Sequence, residues 1–365
     1  MRIALVTATP ASVALGSGTH VAHENLRLGL EQLGHDVRVI QPRWRPGSGT
    51  SALRRFWFNA RLDRQSVADR DVVCGFDLDG VRVAGRHGPP FVAYLHGVIA
   101  DEARFEHGPV RWSLALQATA ERWAARRADL VLATSEYSRR RIGHLYGVSL
   151  RRIQVVPPAF DLARWARAGD ASPPVSTGRP TVLCVGRMYP RKNHAGLLQA
   201  AALVRDQVPG LAVRIVGDGP ERRRLERLAT RLGLDGVARF TGQVGFDELA
   251  REYAGCDVFC LPTLQEGFGL VFAEAMTAGK PVVACRAGSV PELVTPGCGV
   301  LVDPGDTGAL AGALIALLGD PERRHRLGRA GRAEARRRFG LERGAGDFLA
   351  AVGPLAACQE PAPAQ

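Results

Sequence analysis

Glu266 and Glu274, with seven residues between them, stand in the segment Leu261-Pro-Thr-Leu-Gln-Glu266-Gly-Phe-Gly-Leu-Val-Phe-Ala-Glu274-Ala-Met-Thr-Ala-Gly-Lys-Pro-Val-Val-Ala. An apolar run that reads as a strand ends just before the first carboxylate, and a helical pattern opens just after it. Glu266 therefore falls in a loop and Glu274 inside a helix, so the two need not face the same group. Gly267 and Gly269 bracket Phe268 and let backbone approach a ligand, and the amides that open the helix at Leu270 can receive negative charge.

A second constellation is Val185-Gly186-Arg187-Met-Tyr-Pro190-Arg-Lys192-Asn193, just beyond another strand-like run. Gly186 permits the turn, and Arg187 with Lys192 can converge on a diphosphate through charge-assisted hydrogen bonds, an alternative to a metal ion. Lys192 and Lys280 are the chain's two lysines; its other basic side chains are arginines. Two further strand-to-loop transitions, at Gly217-Asp218-Gly219 and Gly242-Gln243-Val244, lie between the stronger motifs. Near the N-terminus, His96 closes the run Tyr94-Leu95-His96, Gly16-Ser17-Gly18-Thr-His20 opens a helix, and Ser135 follows an apolar run ending at Ala133. His20 is also the type of residue a packed helix holds, and His96 alone could be a core histidine.

These residues need strand ends to present them. Strand-like runs at Ile3–Thr7, Val37–Ile40, Val72–Cys74, Phe91–Leu95, Leu130–Ala133 and Ile153–Val156 alternate with helical patterns that include 19–33, 111–127 and 138–146. Such alternation implies a parallel sheet with right-handed crossovers. Periodicity fades between Asp161 and Pro180, where Pro, Gly, Ser and Thr gather, so 166–180 is expected to be a linker. The alternation then restarts, with strands at 181–185, 212–216, 237–240, 258–261 and 281–284 and helices between them. The expectation is two Rossmann-like α/β domains, over 1–165 and 181–335, with ligands at strand carboxyl ends facing a cleft. A helical stretch, 336–353, packs back on the first domain in this reading, and 354–365 is a Pro- and Ala-rich tail.

Composition narrows the class. Among 365 residues the net charge is +12 and the hydrophobic share 46%, enough for two buried cores. The arginines fall on helix-like segments and no nucleic-acid motif accompanies them, so solvated faces are expected and no nucleic-acid partner. Seven scattered cysteines, several in strand-like runs, fit buried thiols of a reducing compartment, and Cys256 with Cys260 lacks the companions of a zinc site. No apolar run is long enough to span a bilayer. Ser51–Arg64 mixes arginine with aromatic residues and is read as a helix packing Leu53, Phe56, Trp57 and Ala60 inward, with peripheral membrane contact the less favoured alternative. A cytoplasmic location follows from these readings.

The Glu-x7-Glu segment in its strand-loop-helix setting, together with Gly186–Lys192, resembles the family 4 retaining glycosyltransferases of GT-B fold. The resemblance runs over about 1–350 and is strongest in the second half. It implies metal-independent transfer of a sugar from a nucleotide-diphosphate sugar, a UDP-sugar by family frequency with a GDP-sugar open, to a hydroxyl-bearing acceptor, with no cofactor. In such enzymes the residue matching Glu266 approaches donor-sugar hydroxyls and that matching Glu274 holds the ribose. Arg187 and Lys192 would bind the diphosphate, with Gly18, Gly186, Gly217, Gly267, Phe268, Gly269 and Leu270 lining the donor. Backbone at Gln243 and Val244 would read the base. His96 would lie near the reacting carbon, and Gly16, Ser17, His20 and Ser135 on the acceptor side. Relatives commonly carry Asn-Gly where this chain has Pro158-Ala159. Competing readings are a sugar-nucleotide hydrolase, a phosphate-using synthase, or a non-catalytic protein that binds nucleotide-sugars or anionic polymers.

Overall fold

A computed structural model of the chain describes residues 1–9, 18–42, 52–84, 88–171, 175 and 178–357, and the structural statements below concern these residues. The chain forms two compact units, Met1–Phe160 with Phe339–Gln365, and Asp161–Arg338.

The first unit runs β1 (Arg2–Val6), α1 (Gly18–Gln32), β2 (Asp36–Ile40), α2 (Ala52–Arg61), β3 (Val72–Phe76), β4 (Phe91–Leu95), α3 (Ile99–Glu102), α4 (Gly108–Arg127), β5 (Leu130–Ala133), α5 (Glu136–Tyr146) and β6 (Ile153–Val155). Its parallel sheet has the order β2-β1-β3-β4-β5-β6. Strands β3, β4 and β5 are buried throughout, as continuous apolar runs covered on both faces must be. One face, including Val6, Ala93, Leu95 and Val131, packs under Phe58 of α2, Ala125 of α4 and Ile142 of α5. The other carries Leu5, Phe76 and Tyr94 against Leu26 and Leu30 of α1.

The second unit runs α6 (Leu162–Ala171), β7 (Thr181–Val185), α7 (His194–Arg205), β8 (Ala212–Val216), α8 (Arg222–Arg231), β9 (Ala238–Gly242), α9 (Phe246–Ala254), β10 (Val258–Leu261), α10 (Leu270–Thr277), β11 (Val282–Cys285), α11 (Val290–Leu293), β12 (Gly299–Val302), α12 (Thr307–Leu318) and α13 (Pro321–Arg338). Its sheet is parallel in the order β12-β11-β10-β7-β8-β9. The last helix, α14 (Leu341–Ala357), returns to the first unit, where Phe348 and Val352 join the α1 face of the core. Gly29 makes this approach possible, since a Cβ there would meet the Leu341 carbonyl oxygen at 2.5 Å.

Three local expectations need correction. Residues 162–171, the last six within the stretch expected to be linker, are helical: Asp161 Oδ1 accepts from Arg164 N at 2.8 Å, and Trp165 stacks edge-on against Phe246 and Tyr253. Helix α14 continues through Pro354 to Ala357, into the stretch expected to be tail, while 358–365 lie outside the described residues. Helix α2 is rotated from its expected setting, with Trp57 and Ala60 exposed and Asn59 buried. The short edge strand β12 was not expected. It is fixed by Gly299, where a Cβ would lie 2.4 Å from the Val282 carbonyl oxygen.

The described cysteines, Cys74, Cys184, Cys256, Cys260, Cys285 and Cys298, are free and buried, and Cys358 lies outside the described residues.

Candidate functional site

In the second sheet the strand order reverses between β7 and β10, the position where α/β sheets open a crevice at their carboxyl ends. The Gly186–Asn193 loop follows β7 and the Pro262–Gly269 loop follows β10, so the two strongest sequence motifs flank that point. They meet directly: the Lys192 ammonium donates to Glu266 Oε2, and both side chains are mostly buried. Backbone ties hold the loops in register, with Leu264 N donating to Arg191 O at 2.7 Å and Thr263 Oγ1 to the same oxygen at 3.1 Å.

Neighbouring loops are set by glycine. Gly217 has φ +126°, and a Cβ there would lie 2.2 Å from the Gly186 carbonyl oxygen; Gly186 N in turn donates to Val216 O at 3.0 Å. The β7 and β8 loops are thereby packed backbone to backbone, and Met188 N donates to Asp218 O at 3.0 Å. Asn193, at φ +52°, caps α7 by accepting from Gly196 N. Gly269, at φ +90°, precedes α10 and turns the chain from the Glu266 loop into that helix, and the buried Phe268 carbonyl accepts from Ser289 Oγ at 3.1 Å. Arg187 lies over the Tyr189 ring at 5.4 Å, as does Arg191 from the other side of Tyr189 in sequence.

Glu274 faces a different group from Glu266. It is buried within α10, accepts from Tyr253 Oη at 2.8 Å, and burial pushes its carboxyl up to about 7. Gln243 is exposed and Val244 half-buried just past β9, with Leu270 half-buried at the start of α10. His194 was not anticipated: it sits beneath Gly186 with both ring nitrogens unpartnered, and burial lowers it to about 4.

The first unit has its own cluster at strand carboxyl ends. The His96 ring lies 4.4 Å from Tyr94 and 5.2 Å from Phe76, centroid to centroid, and neither ring nitrogen has a hydrogen-bond partner. Burial lowers its pKa to about 3, so it is a neutral imidazole at pH 7. His20 Nδ1 and His23 Nε2 share a hydrogen bond at 3.1 Å, and His23 packs on Phe76. Burial depresses both, His23 to about 4. Gly18 begins α1, whereas Gly16 and Ser17 lie outside the described residues. Ser135 Oγ caps α5 by accepting from Ser138 N at 3.0 Å.

Sequence reasoning missed the group that fixes the His96 loop. His96 N donates to Asp77 Oδ1 at 3.0 Å, and Asp77 holds φ +55°. Arg55 of α2 bonds Asp79 through Nε at 2.9 Å and Nη2 at 3.0 Å, and Asn59 and Ala8 N add two more donors to the same carboxylate. The available signal was Asp77-Leu-Asp79-Gly80 directly after an apolar strand, with an Arg and an Asn four apart on the helix before it.

Two doubly wound parallel sheets in one chain, each with polar and glycine-rich loops at its strand carboxyl ends, define the GT-B class of fold. The chain belongs to glycosyltransferase family 4 within the group 1 glycosyl transferases: the model described as Glycosyltransferase Family 4 matches residues 16–164, and that described as Glycosyl transferases group 1 matches 169–334. It is 37% identical to the GDP-mannose-dependent alpha-(1-6)-phosphatidylinositol monomannoside mannosyltransferase of Mycolicibacterium smegmatis, over 62% of this chain and 63% of that one. It is 36% identical to the D-inositol 3-phosphate glycosyltransferase of Nocardia farcinica, over 55% of this chain and 47% of that one. The matched region thus spans less than two thirds of either relative. Among solved structures, sucrose-phosphate synthase from Thermosynechococcus elongatus superposes with TM-score 0.80 at 21% identity, covering 98% of this chain and 100% of that one. Anabaena HepE in complex with UDP and glucose gives 0.72 at 22%, covering 97% and 99%. At these identities the two structures show the fold.

Proposed function

We propose that this chain is a retaining glycosyltransferase that moves a sugar from a nucleotide-diphosphate sugar to a hydroxyl of its acceptor. The observation that carries the reading is the Lys192–Glu266 pair, placed at the reversal point of the second sheet beside Arg187. A cation set with an adjoining carboxylate suits a ligand that joins a diphosphate to a polyol. Arg187 and Lys192 hold the diphosphate and stabilise the charge that develops as it leaves. Glu266, freed from Lys192 when the phosphates take its place, accepts from sugar hydroxyls. Glu274 accepts from the ribose, and backbone at Gln243 and Val244 reads the base.

The acceptor oxygen bonds the anomeric carbon on the face from which the phosphate oxygen departs, and that oxygen takes the acceptor's proton. This route requires no protein nucleophile and keeps the anomeric configuration. His96, neutral and unpartnered at its ring nitrogens, is suited to hydrogen-bond a sugar hydroxyl. For the donor, GDP-mannose is favoured over the UDP-sugar suggested by family frequency. The mannosyltransferase relative named as GDP-mannose-dependent is 37% identical, whereas HepE, bound to UDP, is 22% identical. The same relatives, named for phosphatidylinositol monomannoside and D-inositol 3-phosphate, support an inositol-bearing acceptor.

The test is a thermal-shift panel of GDP, UDP, ADP and their sugars without added metal, on wild type and on Arg187→Ala with Lys192→Ala. One nucleotide series should raise Tm, as mass action requires of a ligand selective for the native state, and the double variant should lose the shift. Absence of stabilisation by every nucleotide would refute the reading. The one-bond C1–H1 coupling of a mannosyl product then reports retention or inversion.

A further inference from the structure

The outer face of α4 carries exposed apolar side chains that the transfer chemistry does not use. Trp112 is 77% exposed, Leu116 56% and Trp123 40%. At 3.6 residues per turn these three lie within about 40° of one another, spread over about 16 Å of helix. They point away from the buried side of α4, formed by Ala118, Glu121, Ala124 and Ala125. Exposed Arg111, Arg122, Arg126 and Arg127 surround the stripe, and Arg127 lies over the Trp123 ring at 4.1 Å. The sole acid on the helix is Glu121, which faces inward to Tyr146 and Ile99 N. The next exposed acid in sequence, Asp129, lies two residues beyond the helix and accepts from Phe91 N.

Helix α2 covers the same side of the first sheet and repeats the chemistry. Phe58 and Leu62 pack toward the core while Trp57, 58% exposed, stands outward with the Arg61 guanidinium 3.7 Å from its ring centroid. Residues 52–61 contain no acid. The most arginine-rich helix, α13, offers the contrast: it exposes no large apolar side chain, so charge alone does not produce this pattern.

We propose that this side of the first unit, centred on the α4 stripe, docks on the surface of an anionic lipid bilayer. Indole rings combine an apolar body with a polar N–H and settle at headgroup depth, while arginines beside them meet lipid phosphates. The stripe is the ridge of a single helix rather than a groove, which suits shallow insertion parallel to the interface. Among the described residues no helix is long and apolar enough to cross a membrane, so docking here is peripheral. The proposal goes beyond the donor chemistry and stands on the exposed residues alone.

The experiment is co-sedimentation of the full chain with phosphatidylcholine vesicles and with vesicles of equimolar phosphatidylcholine and phosphatidylglycerol. Wild type should bind the anionic vesicles, with a blue shift of tryptophan emission, and leave the neutral ones. Trp112→Ser with Trp123→Ser should weaken binding by about tenfold or more and abolish most of the blue shift. Arg122→Glu with Arg127→Glu should weaken it by at least about fivefold per arginine, whereas Arg326→Glu with Arg329→Glu on α13, the same change in net charge, should leave it near wild type. An unchanged Tm establishes that each variant is folded. Failure of wild type to bind, equal loss in the α13 control, or a dimer that the tryptophan variant dissociates would each overturn the proposal.

Discussion

Changing Glu274 to Gln should stabilise the free protein above neutral pH while weakening its hold on nucleotide. The carboxyl is buried in α10, with Tyr253 Oη donating to it at 2.8 Å, and its pKa is raised from 4.5 to about 7, chiefly by burial. A raised carboxyl means that the folded chain keeps a proton the unfolded chain has released. Below pH 4.5 both states are protonated and the group has no effect on stability. As pH climbs from 4.5 to about 7 stability falls, by about 3 kcal/mol in all, and then levels off. Gln keeps an oxygen for Tyr253 and has no proton to lose. The stability gap between E274Q and wild type should therefore widen by about 3 kcal/mol between about pH 4.5 and about pH 8. Urea midpoints at several pH values measure it, and the other shifted groups, such as His23 and Glu121, shape both curves alike and cancel in the difference. Parallel curves for the two proteins would refute the assignment of a buried, proton-holding carboxyl. If ribose hydroxyls donate to the carboxylate, nucleotide binding to wild type should release a proton and tighten as pH rises through about 7, with E274Q showing neither effect.

Gly217→Ala should cost about 3 kcal/mol or more, because φ +126° is strained for any side chain and the new Cβ would lie 2.2 Å from the Gly186 carbonyl oxygen. A urea-midpoint loss under about 1 kcal/mol would mean the β7 and β8 loops separate easily. Asp79→Ala should cost about 3–5 kcal/mol by leaving the Ala8 amide and Asn59 Nδ2 short of an acceptor and Arg55 with only the longer contacts to Asp77 at 3.5 Å and Phe76 O at 3.4 Å, and adding Arg55→Met should recover a large part of that loss. Equal stabilities for the single and double variants would show that Asp77 and Phe76 O suffice to hold Arg55.

The parallel strands were readable because a strand covered on both faces is a continuous apolar run, and β4, β5, β7, β8 and β10 fall where those runs predict. The donor-side loops were readable for a related reason, since glycines, cations and carboxylates there are local in sequence. Partnerships were not. Lys192 meets Glu266 across 74 positions, Arg55 meets Asp79 across 24, and Glu274 takes its hydrogen bond from Tyr253 on another helix. Helix α2 shows how a long-range pair defeats a local rule. Its apolar spacing placed Trp57 and Ala60 inward, but the buried acids after β3 draw in Arg55 and Asn59, and the helix turns to satisfy them. The linker reading failed at α6 because Trp165 finds aromatic partners on α9, which no pattern within 161–180 announces.

The two strand-end clusters differ in charge, and the difference bears on which ligand each suits. In the first unit Arg55 is matched by Asp77 and Asp79, and burial holds His23 and His96 uncharged at pH 7, with His20 also lowered. The His96 ring, uncharged, walled by aromatic rings and with both nitrogens unpartnered, can hydrogen-bond hydroxyls as donor and as acceptor. In the second unit Arg187, Arg191 and Lys192 follow one strand while Glu266 comes from another, so cations outnumber carboxylates around the reversal point. In the proposed mechanism an incoming diphosphate displaces Glu266 from Lys192, exchanging that ion pair for charge-assisted hydrogen bonds from Lys192 and Arg187. The displaced carboxylate is then free beside the phosphates, where a sugar attached to them would present its hydroxyls. Under the proposed transfer, the cation-rich loops of the second unit suit the donor diphosphate, and the uncharged His96 of the first unit suits a sugar hydroxyl. In that mechanism Glu266 takes up its sugar-binding role only once the donor has arrived.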